Sequence, residues 1–332
     1  MKRVVIGVFL CLLGGGAIVY ALMGPRQSTS VLSPITQVID RPLDRYTIDS
    51  LSQRGGIAGT IVLDEAVATT AAYTEYLFHF SSGGRKATGL AHIPIDASEQ
   101  NKKPVIVQFR GYVDPGIYAP GIGTKRSAEV FAKQGFITLA PDFLGYGGSD
   151  NPENDVFEER FQTYVVALDL LASVSSLGMT DPTRVGIWAH SNGGQIALTV
   201  LAITRGTNPT TLWAPVTRAF PYSILYYTDE ADDKGKALRK KLAEFERNYD
   251  VDLYTFVNYS DRIAAPLQLH QGGEDDAVPV KWSEEFVADL KEKNITIGYF
   301  LYPGADHNLQ PSWNTVIARD IEFFTQHLIT ER

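Results

Sequence analysis

The sequence predicts an α/β fold in which helices cover both faces of a mostly parallel sheet. Apolar runs of strand length alternate with segments of helical periodicity through most of the 332-residue chain, which is the pattern expected of such a fold. The apolar runs at residues 105–109 and 185–189 indicate short buried strands. Because 44% of its residues are hydrophobic, the chain can bury a full core without disulfide bonds.

The alternation begins with a predicted hairpin, whose strands cover residues 75–80 and 87–93 around a Ser-Ser-Gly-Gly turn. In the last predicted helix, which starts at Trp313, apolar side chains recur on one face, and this face is expected to pack on the sheet. The elements predicted between them are strands at 105–109, 136–140, 185–189, 211–214, 267–270 and 295–301, and helices at 127–134, 161–172, 195–202 and 282–290.

An insertion at about residues 217–261 interrupts this alternation. It is aromatic at both ends and highly charged in the middle, between residues 229 and 247. We predict a helical cap that belongs to the main domain rather than a second domain. The main domain is predicted to cover residues 46–332.

The composition excludes several kinds of site. The formal net charge is -8 and there is no basic run, so nucleic acid is not an expected partner. Cys11 is the single cysteine and lies in the first apolar segment, so the rest of the chain has no thiol for a disulfide, a nucleophile or a metal site. The sequence contains no metal-ligand cluster and no dinucleotide fingerprint, so we expect no metal and no cofactor. Nothing in the composition predicts an oligomeric state.

Residues 1–24 have the pattern of a targeting segment. Lys2 and Arg3 precede an uncharged stretch that is long enough to cross a bilayer. This stretch is longer than the apolar core of most cleaved signals, so we predict a transmembrane signal anchor with the main domain outside the cytoplasm. Secretion after cleavage near residues 19–21 is the alternative. Residues 25–45 are rich in Ser, Thr and Pro and are predicted to be a linker.

The most informative stretch surrounds Ser191. A strand-forming apolar run leads into Ala-His-Ser-Asn-Gly-Gly and then into a helix-forming run. This is the context of the nucleophile elbow of α/β-hydrolases, in which a serine stands on a sharp turn at the edge of the sheet. The positions two before and two after the serine must be small; Gly193 meets this need, and Ala189 is one methyl group larger than the usual glycine. His190 should point away on such a tight turn, so we assign it to packing or loop support.

An acid and a histidine are then expected, in that order, after the serine. A serine hydroxyl needs a base to remove its proton, and the acid orients that base. Glu274, Asp275 and Asp276 directly follow a predicted strand, at the sheet edge where the sites of open α/β sheets collect. A solvated acidic loop is the alternative for this group. His307 lies in the loop after the last predicted strand and is the candidate base, whereas His327 lies inside the terminal helix. Three further histidines fall on predicted strands and are assigned structural roles: His79, His92 and His270.

Acyl transfer also needs hydrogen-bond donors aimed at the oxyanion that develops on the attacked carbonyl group. The N–H of Asn192, the residue after the serine, is the expected first donor. The second donor is expected in the loop after the strand at 105–109, where Tyr112 offers its N–H or its hydroxyl. The alternative is that Gly111 in this loop serves only a turn.

The elbow around Ser191 resembles that of the prolyl oligopeptidase family of serine peptidases. Residues 142–149 and 259–267 are also similar to segments of this family. Residues 272–279 match its Gly-x-x-Asp-x-x-Val-Pro segment, and this match favours Asp275 over its acidic neighbours. The resemblance covers roughly residues 70 to 330. It implies an α/β-hydrolase fold and peptidase activity.

Three features depart from the family pattern. Arg110 stands where a histidine is frequent. Fewer than about 60 residues separate the N-terminal apolar segment from the first hairpin, so no β-propeller fits between them. The acidic pair that would bind the amino terminus of a peptide is not identifiable either.

Three functions are consistent with these residues. The leading hypothesis is a serine peptidase that cleaves short peptides through an acyl-enzyme, with Ser191, Asp275 and His307 as its triad. A carboxylesterase could use the same triad on an ester substrate, and a non-catalytic α/β-hydrolase-like binding protein is the third hypothesis. Aromatic residues of the cap are candidates for binding the substrate: Tyr222, Tyr226 and Tyr227.

Overall fold

A computed structural model describes residues 40–330 of the chain. The signal anchor predicted over residues 1–24 and most of the linker predicted over residues 25–45 lie outside these residues. Within residues 40–330, no helix is both long enough and apolar enough to span a bilayer.

Residues 40–330 contain one nine-stranded sheet, which places the functional loops at one edge. The strand order is β1-β2-β3-β5-β4-β6-β7-β8-β9. The first three strands are antiparallel to their neighbours, and β5, β4, β6, β7, β8 and β9 are mutually parallel. The strands are β1 Val62–Thr69, β2 Tyr73–Ser82, β3 Arg85–Pro94, β4 Lys103–Phe109, β5 Ile137–Pro141, β6 Thr180–His190, β7 Thr210–Trp213, β8 Leu267–Gly272 and β9 Ile297–Tyr302.

Helices cover the sheet on both faces, as the sequence predicts. Short 3-10 helices and a terminal π turn complete the connections: Pro42–Tyr46, Pro115–Ile117, Val174–Ser176, Thr228–Glu230, Val251–Tyr254, Phe256–Arg262 and Gln326–Thr330. The α-helices are α1 Ile48–Arg54, α2 Lys125–Lys133, α3 Val156–Ser173, α4 Asn192–Thr204, α5 Tyr222–Leu225, α6 Lys236–Asn248, α7 Val280–Glu292 and α8 Trp313–Thr325.

The central strands are buried on both sides because their side chains alternate between two cores. In β6, Ile187 and Ala189 join the core beneath α3, α4 and α7, whereas Trp188 joins the core beneath α2 and α8. All three side chains are almost fully buried. This explains why residues 185–189 of the strand are apolar at successive rather than alternate positions.

The register of the parallel strands brings four loops to the same edge. His190 at the end of β6 lies beside Trp213 in β7, which lies beside His270 in β8, which lies beside Phe300 in β9. The loops that follow these residues therefore emerge next to one another. Sites on open α/β sheets form at this edge.

The chain before the sheet is more ordered than the predicted linker allows. Residues 42–45 form most of a 3-10 helix whose Leu43 and Tyr46 are buried in the core. The prediction that the linker extends to residue 45 is therefore wrong at its end, because two apolar side chains hold these residues on the domain. Neither α1 nor β1, the next two elements of the chain, was predicted from the sequence.

A buried carboxylate ties this N-terminal segment to α3. Asp169 accepts two hydrogen bonds of 2.8 Å from Arg54, one of 2.7 Å from the N–H of Ile57 and one of 2.8 Å from the hydroxyl of Ser82. The Asp169 side chain has no exposed surface. One acid thus satisfies donors from α1, β2 and the connection between α1 and β1.

The insertion between β7 and β8 is helical and packs on α3 through aromatic side chains. Phe220 lies 5.5 Å and Tyr254 lies 5.0 Å from Phe161, measured between ring centroids. Phe245 of α6 lies 5.1 Å from Phe157. Phe220 and Tyr254 at the two ends of the insertion, and Phe245 in its middle, therefore hold it against the main domain.

The buried histidine His92 should make the fold sensitive to acid. Burial lowers its pKa to about 4, outweighing the attraction of the carboxylate of Glu75. In the unfolded chain the imidazole of His92 binds a proton near pH 6.5. The free energy of unfolding should therefore keep its full value above that pH and should fall as the pH drops towards 4. The loss should reach at most about 1.4 kcal/mol per pH unit for this group. Urea unfolding of the wild type and of His92→Asn at pH 7 and pH 5 measures this loss of unfolding free energy. An equal loss in both proteins between the two pH values would contradict the prediction.

Candidate active site

The backbone at Ser191 has the conformation of a nucleophile elbow. Ser191 lies between the end of β6 and the start of α4, with φ 55° and ψ -121°, a combination that non-glycine residues rarely adopt. Its N–H donates to the carbonyl of Trp213 at 2.9 Å, and its own carbonyl accepts from the N–H groups of Gly194 and Val216, both at 3.0 Å. Bonds to the neighbouring strand and loop therefore stabilise this strained residue.

Close packing around the serine explains the small residues of the motif. A Cβ atom at Gly193 would lie 2.0 Å from the carbonyl oxygen of Phe109, so no side chain fits there. Ala189 is fully buried and the methyl group is accommodated. A Cβ atom at Gly111 would lie 2.9 Å from the Cβ of Ser191, which shows that the loop after β4 approaches the serine closely.

The structure brings Asp275 and His307 into direct contact. The Nδ1 atom of His307 lies 3.0 Å from each carboxylate oxygen of Asp275. The Asp275 side chain is buried, and it also accepts hydrogen bonds from the N–H groups of Ala277 and Val278 at 2.9 and 2.8 Å. The side chain of Gln271 donates a further bond of 3.0 Å.

These donors determine the charge of the acid. Burial alone would raise the pKa of Asp275, but the hydrogen bond from His307 and those from Val278 and Ala277 outweigh burial and lower this pKa. Asp275 is therefore an anion at neutral pH. The neighbouring Asp276 is exposed, and its side chain makes no hydrogen bond to any residue that the structure describes.

Three other histidines, His79, His270 and His327, lie elsewhere in the fold. His270 is buried in β8, 3.0 Å from the carboxylate of Asp320, and His79 pairs with Asp64 on the first hairpin. His327 lies beyond the end of α8, with its ring 4.6 Å from that of Phe323. None of these three side chains contacts Asp275 or Ser191.

His190 connects the elbow to the loop that carries His307. Its Nε2 atom lies 3.0 Å from the carbonyl oxygen of His307, and the two imidazole rings are 4.7 Å apart. From the sequence we assigned His190 to packing or loop support, and this contact shows that it touches the loop of His307.

The two predicted oxyanion donors belong to different elements, α4 and the loop after β4. Asn192 is the first residue of α4, so its N–H belongs to the helix turn that lacks intrahelical acceptors. Tyr112 directly follows Gly111, the residue that approaches Ser191, but its side chain is 74% exposed. This exposure favours the N–H of Tyr112 over its hydroxyl as the donor.

Arg110 anchors the loop of Tyr112, a role that the sequence did not reveal. Its guanidinium group lies 4.0 Å from the ring centroid of Tyr146 and 4.6 Å from that of Tyr118. It also donates to the carbonyl oxygens of Gly111 and Asp142 at 2.9 and 3.0 Å. The aromatic residues on both flanking loops are the sequence signal that could have suggested this cation–π arrangement.

The three candidate substrate-binding tyrosines surround Trp282, which the sequence did not single out for the site. The rings of Tyr222, Tyr226 and Tyr227 lie 6.0, 4.6 and 6.3 Å from the Trp282 ring. The hydroxyl of Tyr227 donates to the carbonyl of Ala277 at 3.2 Å, so the cluster borders the loop of the acid. Tyr222 and Tyr226 remain 51% and 43% exposed.

The model of the prolyl oligopeptidase family matches residues 123–330. The chain belongs to this family. The match includes the elbow, the acid loop and the histidine loop, and it confirms the resemblance seen in the sequence.

Related proteins include both peptidases and an esterase. Dipeptidyl peptidase family member 6 of Caenorhabditis elegans is 26% identical over 171 residues, which are 49% of this chain and 23% of that protein. An acetyl xylan esterase from Paenibacillus sp. R4 has a TM-score of 0.63 at 19% identity, covering 83% of this chain and 91% of the other. A puromycin-hydrolyzing peptidase of Mycobacterium tuberculosis has a TM-score of 0.61 at 20% identity, covering 80% of this chain and 41% of the other.

These comparisons differ in how much of each protein they cover and in what they show. The family member spans about a quarter of the length of the C. elegans protein. The two structural similarities show the fold alone, and they confirm the predicted α/β-hydrolase fold with a mostly parallel sheet flanked by helices.

Proposed function

We propose that this protein is a serine hydrolase that forms an acyl-enzyme at Ser191 and cleaves short peptides. The observation that carries the proposal is the contact between the Nδ1 atom of His307 and both oxygens of Asp275, at 3.0 Å. Because Nδ1 donates its proton to this anion, Nε2 of the neutral imidazole is the basic ring atom.

The proposed reaction begins when Nε2 of His307 takes the hydroxyl proton of Ser191 and the Oγ atom attacks the substrate carbonyl carbon. The N–H groups of Asn192 and Tyr112 would stabilise the negative oxygen of the tetrahedral intermediate. The imidazolium then gives its proton to the leaving nitrogen as the C–N bond breaks. Water, deprotonated by the same imidazole, attacks the acyl carbon, and the imidazolium returns its proton to the Oγ atom of Ser191 as the acyl–oxygen bond breaks. Throughout these steps Asp275 remains an anion and stabilises the imidazolium.

The aromatic cluster around Trp282 is the proposed binding surface for the substrate. Val216 donates its N–H to the carbonyl of Ser191, and Val216 packs with Val278 and Trp282. The cluster thus continues from the nucleophile to the acid loop. The exposed rings of Tyr222 and Tyr226 on its outer side suit an apolar or aromatic substrate group.

Covalent labelling tests the proposed nucleophile. Full-length protein in detergent should react with a fluorophosphonate probe, and mass spectrometry of the digested product should find the adduct on Ser191. Preincubation with excess unlabelled probe is the control for specific reaction. A folded protein that takes up no probe, or takes it up at another residue, would refute the nucleophile and favour a non-catalytic binding protein.

Matched substrates test the peptidase assignment. Each pair of substrates shares one acyl group, and its two members carry an amide and an ester leaving group. The pair therefore compares cleavage of the two bond types on the same acyl group. A peptidase should turn over both members of a pair, since esters are the easier substrates. Ester turnover without any amide turnover, over short peptides that include proline-containing ones, would identify the protein as a carboxylesterase.

We further propose that residues 1–24 anchor the protein in a membrane with the hydrolase domain outside the cytoplasm. The support is the position of Lys2 and Arg3 before a long uncharged stretch. The intact mass of the protein from its membrane fraction distinguishes the alternatives. A mass that lacks the N-terminal residues would instead show a cleaved signal.

A further inference from the structure

We propose that His190 is a positioning residue, which holds the His307 loop against the nucleophile elbow and so fixes the imidazole of His307 for proton transfer. This inference rests on the proposed function of Ser191 and His307. Its first support is the distance of 3.0 Å between Nε2 of His190 and the carbonyl oxygen of His307. The second is the tilted contact of the two rings, whose centroids are 4.7 Å apart and whose planes meet at 42°.

The direction of the hydrogen bond between His190 and the carbonyl of His307 defines which ring nitrogen of His190 carries a proton. A carbonyl oxygen can only accept, so Nε2 of His190 carries the proton and donates it. In the neutral ring Nδ1 is then unprotonated. A Cβ atom at Gly111 would lie 3.4 Å from this Nδ1, so the ring also borders the loop of the oxyanion donor. The side chain of His190 thus contacts the histidine loop and borders the oxyanion loop, and the residue itself belongs to the elbow.

The surroundings of His190 keep its ring neutral. Loss of hydration lowers its pKa to about 4, and the charge of the nearby His307 imidazole acts in the same direction, whereas the hydrogen bond to the His307 carbonyl acts against it. The carboxylates of Asp275 and Asp306 oppose this effect without overcoming it. A neutral neighbour matters here because a second cation beside His307 would disfavour the imidazolium that forms when His307 accepts the serine proton. His190 can therefore hold the loop without weakening the base.

Three substitutions separate the hydrogen bond from simple packing. His190→Gln keeps an N–H donor at nearly the reach of Nε2, His190→Asn carries the same amide on a shorter side chain, and His190→Phe keeps the ring without a donor. Steady-state kinetics on one ester substrate give kcat and KM for each variant. A displaced base should lower kcat roughly 10- to 100-fold. We expect this loss in the Phe and Asn variants with KM within about twofold of the wild type, and recovery of most activity in the Gln variant.

The outcomes are distinct. Wild-type kcat in the Phe and Asn variants would overturn the positioning role, and so would an equal loss in all three variants. If the Phe variant does not fold, the comparison of Gln with Asn decides alone, because these two differ only in reach. Labelling of the wild type at Ser191 is measured in parallel. An unlabelled wild type refutes the proposed function itself, whereas a labelled wild type with unaffected variants refutes only the role of His190.

Discussion

Replacement of Asp275 by asparagine is expected to lower kcat by about four orders of magnitude while the protein stays folded. The carboxylate accepts the Nδ1 proton of His307 at 3.0 Å and so leaves Nε2 free to act as a base. An amide that presents its NH2 group to Nδ1 favours the opposite tautomer, in which Nε2 carries the proton and can no longer accept one from the serine. Steady-state kinetics with the fastest ester or amide substrate measure the loss.

Asp276→Asn is the matched control for this substitution. It makes the same chemical change one residue further along the same loop, at an exposed side chain. Its kcat should remain within about twofold of the wild type, because surface charges of this kind contribute little. A large loss of kcat in Asp276→Asn with a small one in Asp275→Asn would assign the acid to Asp276. Wild-type kcat in both variants would refute a catalytic dyad of Asp275 and His307.

Replacement of Asp169 by alanine is expected to destabilise the domain by roughly 3–5 kcal/mol. The buried carboxylate accepts four hydrogen bonds, and its removal leaves the guanidinium of Arg54, the N–H of Ile57 and the hydroxyl of Ser82 without this acceptor. Uncompensated buried donors, one of them charged, account for the size of the effect. The free energy of unfolding from urea titration, compared at an unchanged m-value, is the measurement.

Asp96→Ala controls for loss of a carboxylate as such. Asp96 pairs with Lys103, but its side chain is 66% exposed, so this substitution should cost less than about 1 kcal/mol. A loss of similar size in both variants would show that net charge, rather than the buried network, sets the stability. A loss below about 1 kcal/mol for Asp169→Ala would show that water replaces the carboxylate at this position.

The parts of the molecule that could be predicted from the sequence have local signals. The elbow was predictable because strand, turn and helix around Ser191 are contiguous in the chain. The loops of Asp275 and His307 were predictable because each follows an apolar strand, and the carboxyl ends of parallel strands share one edge. The central strands were recognised because burial on both faces requires apolar residues at every position.

The parts that could not be predicted depend on distant partners. β1 is an edge strand whose residues are mostly exposed, so it has neither an apolar run nor a clear alternation. Leu43 and Tyr46 are buried by residues far along the chain, and the sequence around them is that of a linker. The roles of Arg110 and Trp282 arise only when loops from separate strands meet.

The conformation of Ser191 has a consequence for when the protein becomes reactive. A serine at positive φ costs about 1–3 kcal/mol, and the bonds that offset this cost come from Trp213 and Val216, which are synthesised after the serine. A nascent or clipped chain that ends before these residues carries the hydroxyl but relaxes out of the turn. The elbow is therefore complete only after β7 joins the sheet, and the proposed base, His307, is synthesised later still, after β9. In the proposed hydrolase, an incomplete polypeptide thus carries Ser191 before it carries the groups that would activate it.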